Sequence, residues 1–102
     1  MQTEISRGST VRIREDVVFR KLEGEAVILN LATGTYYGLD AVGTRIWELI
    51  QEQGGVDAVL EAMLHKYEVE PARCEQDLLG LLRKLHAKGL IEVIDGKTHA
   101  AP

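Results

Sequence analysis

The stretch EAVILNLATGTYYGLD, residues 25–40, decides the fold of this chain, because its pattern predicts two neighbouring strands followed by the start of a helix. Val27, Leu29 and Leu31 fall on one face of an extended segment, since alternate residues of a strand point the same way. Residues 32–34, Ala-Thr-Gly, then form a three-residue loop that ends in glycine. Such a loop suits a β-hairpin in which the glycine takes a left-handed position.

Strand-forming segments continue on both sides of this loop. Residues 35–39, TYYGL, give the second strand of the hairpin, and residues 17–22, VVFRKL, are β-branched and aromatic. The Glu-Gly pair at residues 23–24 connects 17–22 to the hairpin as a short turn. Further upstream, residues 11–14 alternate apolar and charged side chains, as a half-buried extended segment does. We therefore predict a three-stranded antiparallel meander, each edge of which can accept a further strand.

Three helices are predicted after the meander. Asp40 is a suitable N-cap for the first helix, because its carboxylate can accept hydrogen bonds from the free amides of the first turn, and Gly54-Gly55 ends that helix. The second helix covers residues 56–67, and the third begins at Pro71 and ends at Gly89. Apolar side chains recur at helical spacing in all three: Val42, Ile46, Leu49 and Ile50; Val56, Val59, Leu60, Met63, Leu64 and Tyr67; Cys74, Leu78, Leu81, Leu82 and Leu85.

The order of these elements predicts the α+β class, an N-terminal three-stranded antiparallel β-sheet followed by a three-helix bundle, winged-helix-like in its order. Residues 90–94 are apolar enough for a short last strand or a buried tail. We divide the chain into an N-terminal extension at residues 1–16, one folded domain at residues 17–94 and a loose C-terminal tail at residues 95–102. Its length of 102 residues agrees with a single domain.

Composition and charge exclude several classes of protein. The chain is 45% hydrophobic and 27% charged, as is usual for a globular domain, and its net charge is −4. A nucleic-acid-binding domain usually carries a basic excess, which is missing here. No apolar run reaches the roughly 20 residues that span a bilayer, and residues 1–10 are too polar for a signal peptide. The single cysteine cannot form an internal disulfide, so we expect a cytoplasmic protein without a membrane partner.

Residues that commonly carry catalysis are few and scattered. His65, His86 and His99 lie far apart, whereas a metal site needs several converging ligands. Cys74 is either a nucleophile near a helix start or a small apolar residue of the buried stripe. The glycines match neither the dinucleotide nor the phosphate-loop spacing. We therefore expect no catalytic residue, no metal and no cofactor, and hence no enzyme.

Two features exceed what a stable fold requires. Tyr36 and Tyr37 are adjacent in a strand and so point to opposite faces, which leaves one ring either as ordinary surface or as a binding contact. The third helix carries Leu78, Leu79, Leu81, Leu82 and Leu85, a set wider than one apolar stripe. Either the domain buries this helix on two sides, or one side lines a groove for a ligand.

Two longer segments carry a resemblance to a known family. They are AVILNLATGTYYGLDAVGTRIWELI, residues 26–50, and CEQDLLGLLRKLHAKGLI, residues 74–91. Together they resemble the PqqD family, named for a protein of pyrroloquinoline quinone biosynthesis, and the similarity extends over roughly residues 17–93. The resemblance implies a RiPP recognition element, a non-catalytic domain that binds the leader of a ribosomally synthesised precursor peptide.

In such domains the leader adds as an antiparallel strand to the third strand of the sheet, and its side chains enter the cleft between that strand and the third helix. This mode agrees with an exposed strand edge beside an over-apolar helix. The peptide-binding residues that it implies are, on the strand, Thr35, Tyr36, Tyr37, Gly38 and Leu39, and on the helix, Cys74, Asp77, Leu78, Leu81, Lys84, Leu85 and Lys88. Arg83, Lys84 and Lys88 span about one and a half turns at the basic end of this helix, so we expect at least one of them to face the groove and pair with an acidic residue of the leader.

The resemblance also implies partners. They are the precursor peptide and a modifying enzyme, such as a radical SAM protein or a leader peptidase, in quinone-cofactor, lasso-peptide or related biosynthesis. We expect a monomer or a weak dimer formed through the strand edge. The alternative is a winged-helix DNA-binding protein, in which residues 88–97 would form a recognition-helix end and a wing. The acidic net charge and the leucine-rich third helix argue against it.

Overall fold

The computed structural model describes residues 5–94, and its elements follow the predicted order. In sequence they are β1 (Thr10–Ile13), β2 (Val17–Leu22), β3 (Glu25–Asn30), β4 (Tyr36–Leu39), α1 (Ala41–Glu52), α2 (Val56–Lys66), α3 (Pro71–Ala87) and β5 (Ile91–Ile94). The α+β class and the meander followed by three helices are thus confirmed. The loose tail expected at residues 95–102 lies outside the described residues.

The meander has the order β2-β3-β4, with both pairs antiparallel. Leu22 and Glu25 pair across its first turn, whose central residues Glu23 and Gly24 have φ of 52° and 85°. Two positive φ values define the turn type whose twist matches that of the flanking strands. At the second turn Gly34 has φ 78°, which confirms the predicted left-handed glycine.

A second sheet, which the sequence did not predict, joins the two ends of the described chain. β1 pairs antiparallel with β5, so that Val11 lies opposite Val93. The predicted extended segment at residues 11–14 is therefore a strand, and the apolar segment at 90–94 is its partner. Val11 is only 2% exposed and belongs to the hydrophobic core. Part of the segment expected as an extension thus contributes to the core.

Helix α1 covers one face of the meander. Trp47 of α1 is fully buried and stacks on Phe19 of β2, with ring centroids 6.3 Å apart. From β3 the buried side chains are Ala26, Ile28 and Asn30. The opposite face, which carries Val27, Leu29 and Leu31, therefore points to solvent.

An ion pair adds to this contact between α1 and the sheet. Lys21 Nζ lies 2.7 Å from a carboxylate oxygen of Glu48. The hydrogen bond from Lys21 is the largest of the effects that hold the pKa of the Glu48 carboxyl below its usual value. None of the helices within residues 5–94 is long and apolar enough to cross a membrane.

The second sheet leads to a stability prediction. Val11→Ala removes two methyl groups from the core and should lower the free energy of unfolding by about 2 kcal/mol. Val18→Ala makes the same change in β2, where the side chain is 46% exposed, and should cost no more than about 0.5 kcal/mol. Urea denaturation followed by circular dichroism measures both. Equal losses would mean that β1 is not part of the core.

Candidate functional site

The free edge of β4 is the first part of the candidate site. β4 pairs with β3 on one side and has no strand on the other within residues 5–94. The backbone N–H of Asn30 donates to the carbonyl of Thr35 at 2.8 Å, so Thr35 faces β3. Since backbone groups alternate along an antiparallel strand, Tyr37 also faces β3, whereas Tyr36 and Gly38 present their N–H and C=O groups to the free edge.

The two adjacent tyrosines point to opposite faces of the sheet, as predicted. Tyr36 is 71% exposed and lies on the solvent face. Tyr37 is half-buried and packs against the core. The ammonium of Lys88, one residue beyond α3, lies 5.8 Å from the centroid of the Tyr37 ring. The C-terminal end of α3 is thus placed beside β4.

An apolar pocket of about 220 Å³ lies where α1, α2 and α3 meet. Val42 and Val69 belong to its lining and are 44% and 46% exposed, so the pocket opens to solvent. Its lining is Val42, Ile46, Met63, Tyr67, Val69, Arg73, Cys74, Asp77 and Leu78. The pocket therefore offers apolar surface that the domain itself leaves uncovered.

The strand edge and the pocket lie along one groove. One wall is β4 with the first turns of α1, from Tyr37 to Ile46; the other is α3, from Cys74 to Lys88. We call this feature the β4–α3 groove. Since an α-helix rises 1.5 Å per residue, the helical wall is about 21 Å long. At roughly 3.3 Å per residue, about six residues of an extended peptide would fill it.

Charge is distributed unevenly along the helical wall. Near the pocket, Arg73 and Asp77 face each other at 3.7 Å across one turn of α3. Towards the other end, Lys84 and Lys88 are exposed. The pocket end of the groove therefore carries a neutralised pair, and the β4 end carries positive charge.

Cys74 forms part of the pocket wall as a free thiol. Burial raises the pKa of this thiol above its ordinary value, and the neighbouring Asp77 carboxylate raises it further. A raised pKa leaves less thiolate at neutral pH, and the thiolate is the nucleophile. Of the two roles left open for Cys74, the structure therefore favours the apolar lining residue.

Asn30 ties the end of the hairpin to the end of α3. Its side chain is 3% exposed, and Nδ2 donates to the carbonyl of Gly89 at 2.8 Å. Oδ1 accepts from the backbone N–H groups of Ala32 and Thr33 at 2.8 and 3.2 Å. A buried carboxamide with both ends satisfied fixes the segments that it joins.

The structure brings some of the residues expected to bind a peptide to this groove and leaves others away from it. Cys74, Asp77 and Leu78 line the pocket, Lys88 lies over Tyr37, and the backbone of Tyr36 and Gly38 faces outward. Three of the remaining residues, Leu39, Leu81 and Lys84, are buried, half-buried and exposed respectively. Thr35 faces β3 through its backbone, and Leu85 is 0% exposed within the core.

Several lining residues were not singled out from the sequence. Val42, Ile46, Met63 and Tyr67 were assigned only to helical apolar stripes, because periodicity does not show where three helices leave a gap. Asn30 was overlooked as part of a strand. The sequence did contain a signal for it: Asn30 is a polar residue on the same face of the strand as Ala26 and Ile28, and a buried polar side chain needs hydrogen-bond partners.

Catalytic groups do not converge in the described part of the chain. His65 is exposed on α2, His86 is half-buried on α3, and His99 lies outside the described residues. No three histidine, cysteine, aspartate or glutamate side chains within residues 5–94 are placed to hold a metal ion.

Comparison with known proteins gives a family and a fold. The family model described as coenzyme PQQ synthesis protein D (PqqD) matches residues 25–91. The solved structure of TbiB1 in complex with the TbiA(beta) leader peptide is 42% identical, with a TM-score of 0.76 over 79% of this chain and 94% of that chain. No curated protein sequence matches.

A second solved structure, lasso peptide synthetase B1 complexed with the leader peptide, is 22% identical. Its TM-score is 0.73, over 81% of this chain and 98% of that chain. At this identity the likeness shows the fold alone.

The environment of Cys74 predicts slow alkylation. The rate constant with iodoacetamide should rise with pH to a midpoint above that of the urea-unfolded chain, because burial and Asp77 both disfavour the thiolate. Asp77→Asn should lower the midpoint part of the way, and Glu75→Gln, the matched neighbouring change, should leave it in place. A midpoint below that of the unfolded chain would contradict this description of the pocket wall.

Proposed function

The chain belongs to the PqqD family, and on that premise we propose that it binds the leader of a ribosomally synthesised precursor peptide and presents it to a modifying enzyme. The observation that carries this proposal is the free edge of β4 running beside an apolar groove. TbiB1, to which the chain is similar, was solved with a leader peptide bound. A free edge gives a peptide backbone its hydrogen bonds, and pockets beside it select alternate side chains.

We propose that the leader pairs antiparallel with β4. The N–H and C=O groups of Tyr36 and Gly38 would then bond to the leader backbone, since these groups point away from β3. Antiparallel pairing places the N-terminal part of the docked segment at the pocket and its C-terminal part at Lys88. The strand edge supplies affinity without regard to sequence, because every residue except proline carries the same backbone groups.

Side-chain selection falls to the pocket and to the basic end of α3. An apolar side chain of the leader entering between Val42 and Cys74 would bury surface that is now exposed, worth about 1.5–3 kcal/mol if burial is complete. Acidic side chains would suit the opposite end, where Lys84 and Lys88 are exposed. The ligand expected is therefore a segment with an apolar anchor first and acidic residues after it.

The proposed role is non-catalytic, with chemistry left to the partner. A radical SAM enzyme or a leader peptidase is the class of partner that fits, because each acts on a peptide whose leader is held elsewhere. We place the complex in the cytoplasm, since the free Cys74 suits a reducing compartment.

The comparisons give no support to the alternative of DNA binding. A winged-helix-like arrangement of the helices with β1 and β5 stays a proposal, supported by the bridge between Thr10 and Gly55.

Proline substitution tests the strand-addition mechanism directly. Gly38→Pro removes an outward N–H and should weaken binding of the TbiA(beta) leader peptide several-fold or more while the fold survives, since one hydrogen bond is worth about 0.5–1.5 kcal/mol. Tyr37→Pro removes an N–H that faces β3 and should unfold the hairpin. Fluorescence anisotropy and thermal melts measure the two effects.

The matched control is Gly38→Ala. A Cβ at this position meets nothing within 4 Å, and alanine keeps the N–H, so both stability and leader affinity should stay near wild type. If Gly38→Pro is folded and binds the leader peptide as tightly as Gly38→Ala does, the leader does not pair with β4.

The basic end of α3 gives an independent prediction. Lys84→Glu combined with Lys88→Glu should weaken binding of an acidic leader, at about 0.2–1 kcal/mol for each exposed ion pair, and should flatten the salt dependence. Arg83→Glu changes the same charge on a neighbouring face and should have a smaller effect. Isothermal titration calorimetry at low and high salt distinguishes them. An equal loss of leader affinity in Arg83→Glu would mean that the effect comes from the net charge of the protein and not from contacts of Lys84 and Lys88.

A further inference from the structure

We infer that Asn30 is a positioning residue that sets the geometry of the β4–α3 groove and, through it, the affinity for the leader. The inference rests on the proposed function for its ligand. Asn30 itself does not line the groove: it is 3% exposed and lies beneath the hairpin loop. Its effect on binding must therefore pass through the two walls that it connects.

On the hairpin side, Asn30 organises the whole loop between β3 and β4. Its backbone N–H donates to Thr35, and its carbonyl accepts from Gly34, each at 2.8 Å. Its Oδ1 accepts from the N–H groups of Ala32 and Thr33. Four hydrogen bonds from one residue thus fix the loop from which the edge strand β4 begins.

On the helix side, the fifth hydrogen bond reaches the cap of α3. The N–H of Leu90 donates to Leu85 at 2.9 Å and the N–H of Gly89 donates to His86 at 3.0 Å, which is the Schellman arrangement. Gly89 takes φ 74°, and its own carbonyl is left to accept from Asn30 Nδ2. The end of α3 is thereby attached to the start of β4.

The orientation of the carboxamide follows from its partners. Oδ1 faces two N–H donors and Nδ2 faces a carbonyl acceptor. A flipped amide would place an NH₂ group against two donors and an oxygen against the Gly89 carbonyl. Only the observed orientation satisfies every group, so Asn30 acts as a donor to α3 and an acceptor for the loop.

The attachment matters for the groove because, within residues 5–94, it is the one hydrogen bond that joins the β3–β4 hairpin to the end of α3. α1 packs against β3 and β4, whereas α3 packs against α2 and β5. The two walls share one hydrophobic core, but their main packing partners differ, so the hydrogen bond from Asn30 to Gly89 adds a directional link between them. Lys88 precedes Gly89 directly and lies over Tyr37, so a movement of Gly89 changes the basic end of the groove.

Asn30→Asp separates the two halves of this connection. The aspartate keeps an oxygen for Ala32 and Thr33 but has no donor for Gly89, and its charge faces a carbonyl. We expect the leader affinity at neutral pH to fall about tenfold. Burial and the facing Gly89 carbonyl raise the pKa of the new carboxyl, whereas the N–H donors of Ala32 and Thr33 lower it. Its protonated form can donate to Gly89, so affinity relative to wild type should recover as the pH falls through that pKa.

A comparably destabilised variant separates positioning from stability. Val11→Ala lies in β1, away from the groove, and should keep wild-type affinity for the TbiA(beta) leader peptide at a temperature where it is folded. Asn30→Ser provides a neutral second variant if Asn30→Asp fails to fold. Its short hydroxyl can accept from the loop but does not reach Gly89, so it should lose affinity without the pH recovery.

Proton NMR of the free protein gives a readout that needs no leader. The Lys88 ε protons should be shifted upfield by the Tyr37 ring in wild type, and this shift should diminish in Asn30→Asp and Asn30→Ser but not in Val11→Ala. Failure of wild type to bind the leader peptide would overturn the proposed function while this readout still tests Asn30. An unchanged Lys88 shift with unchanged leader affinity in both variants would overturn the inference.

Discussion

The side chain of Asn30 is the constraint on which the rest of the groove depends. A buried carboxamide is unfavourable unless its donors and acceptors are satisfied, and here the partners lie on a hairpin loop and on the end of a helix 59 residues away. Satisfying the group therefore fixes the position of β4 relative to α3. Gly89 completes this arrangement, since its left-handed backbone ends the helix and turns its carbonyl toward Asn30.

The remaining features follow from holding an edge strand beside a helix. β4 cannot pair further within the described chain, so its outward backbone groups are left to water or to a peptide. The sheet has a second edge at β2, whose outward N–H groups include those of Phe19 and Lys21, but α3 does not run beside it. The combination of free backbone groups, an apolar pocket at Val42 and positive charge at Lys88 occurs at the β4 edge alone within residues 5–94. These features are the basis for proposing that the leader docks at that edge.

The sequence predicted those features of the fold that depend on residues close together in the chain, such as the ends of the helices. The N-cap at Asp40 and the helix end at Gly89 were found because capping depends on neighbouring residues. The sequence did not show which face of β3 is buried. Val27 and Ile28 lie on opposite faces and are both apolar, so the alternation of apolar and polar residues that would mark the buried face is missing. Pairing of β1 with β5 joins residues about 80 positions apart, and no local signal reports it. The pocket was missed for the same reason, since it is a gap among three helices.

Amide hydrogen exchange measured by NMR, with and without the leader peptide, tests strand addition to β4 most directly. The amides of Tyr36 and Gly38 point to the free edge, so leader binding should slow their exchange, while the Tyr37 amide, already bonded to β3, should change little. The outward amides of Phe19 and Lys21 on β2 should exchange as before. Saturating leader that leaves Tyr36 and Gly38 unprotected, or that protects the β2 edge instead, would contradict the account.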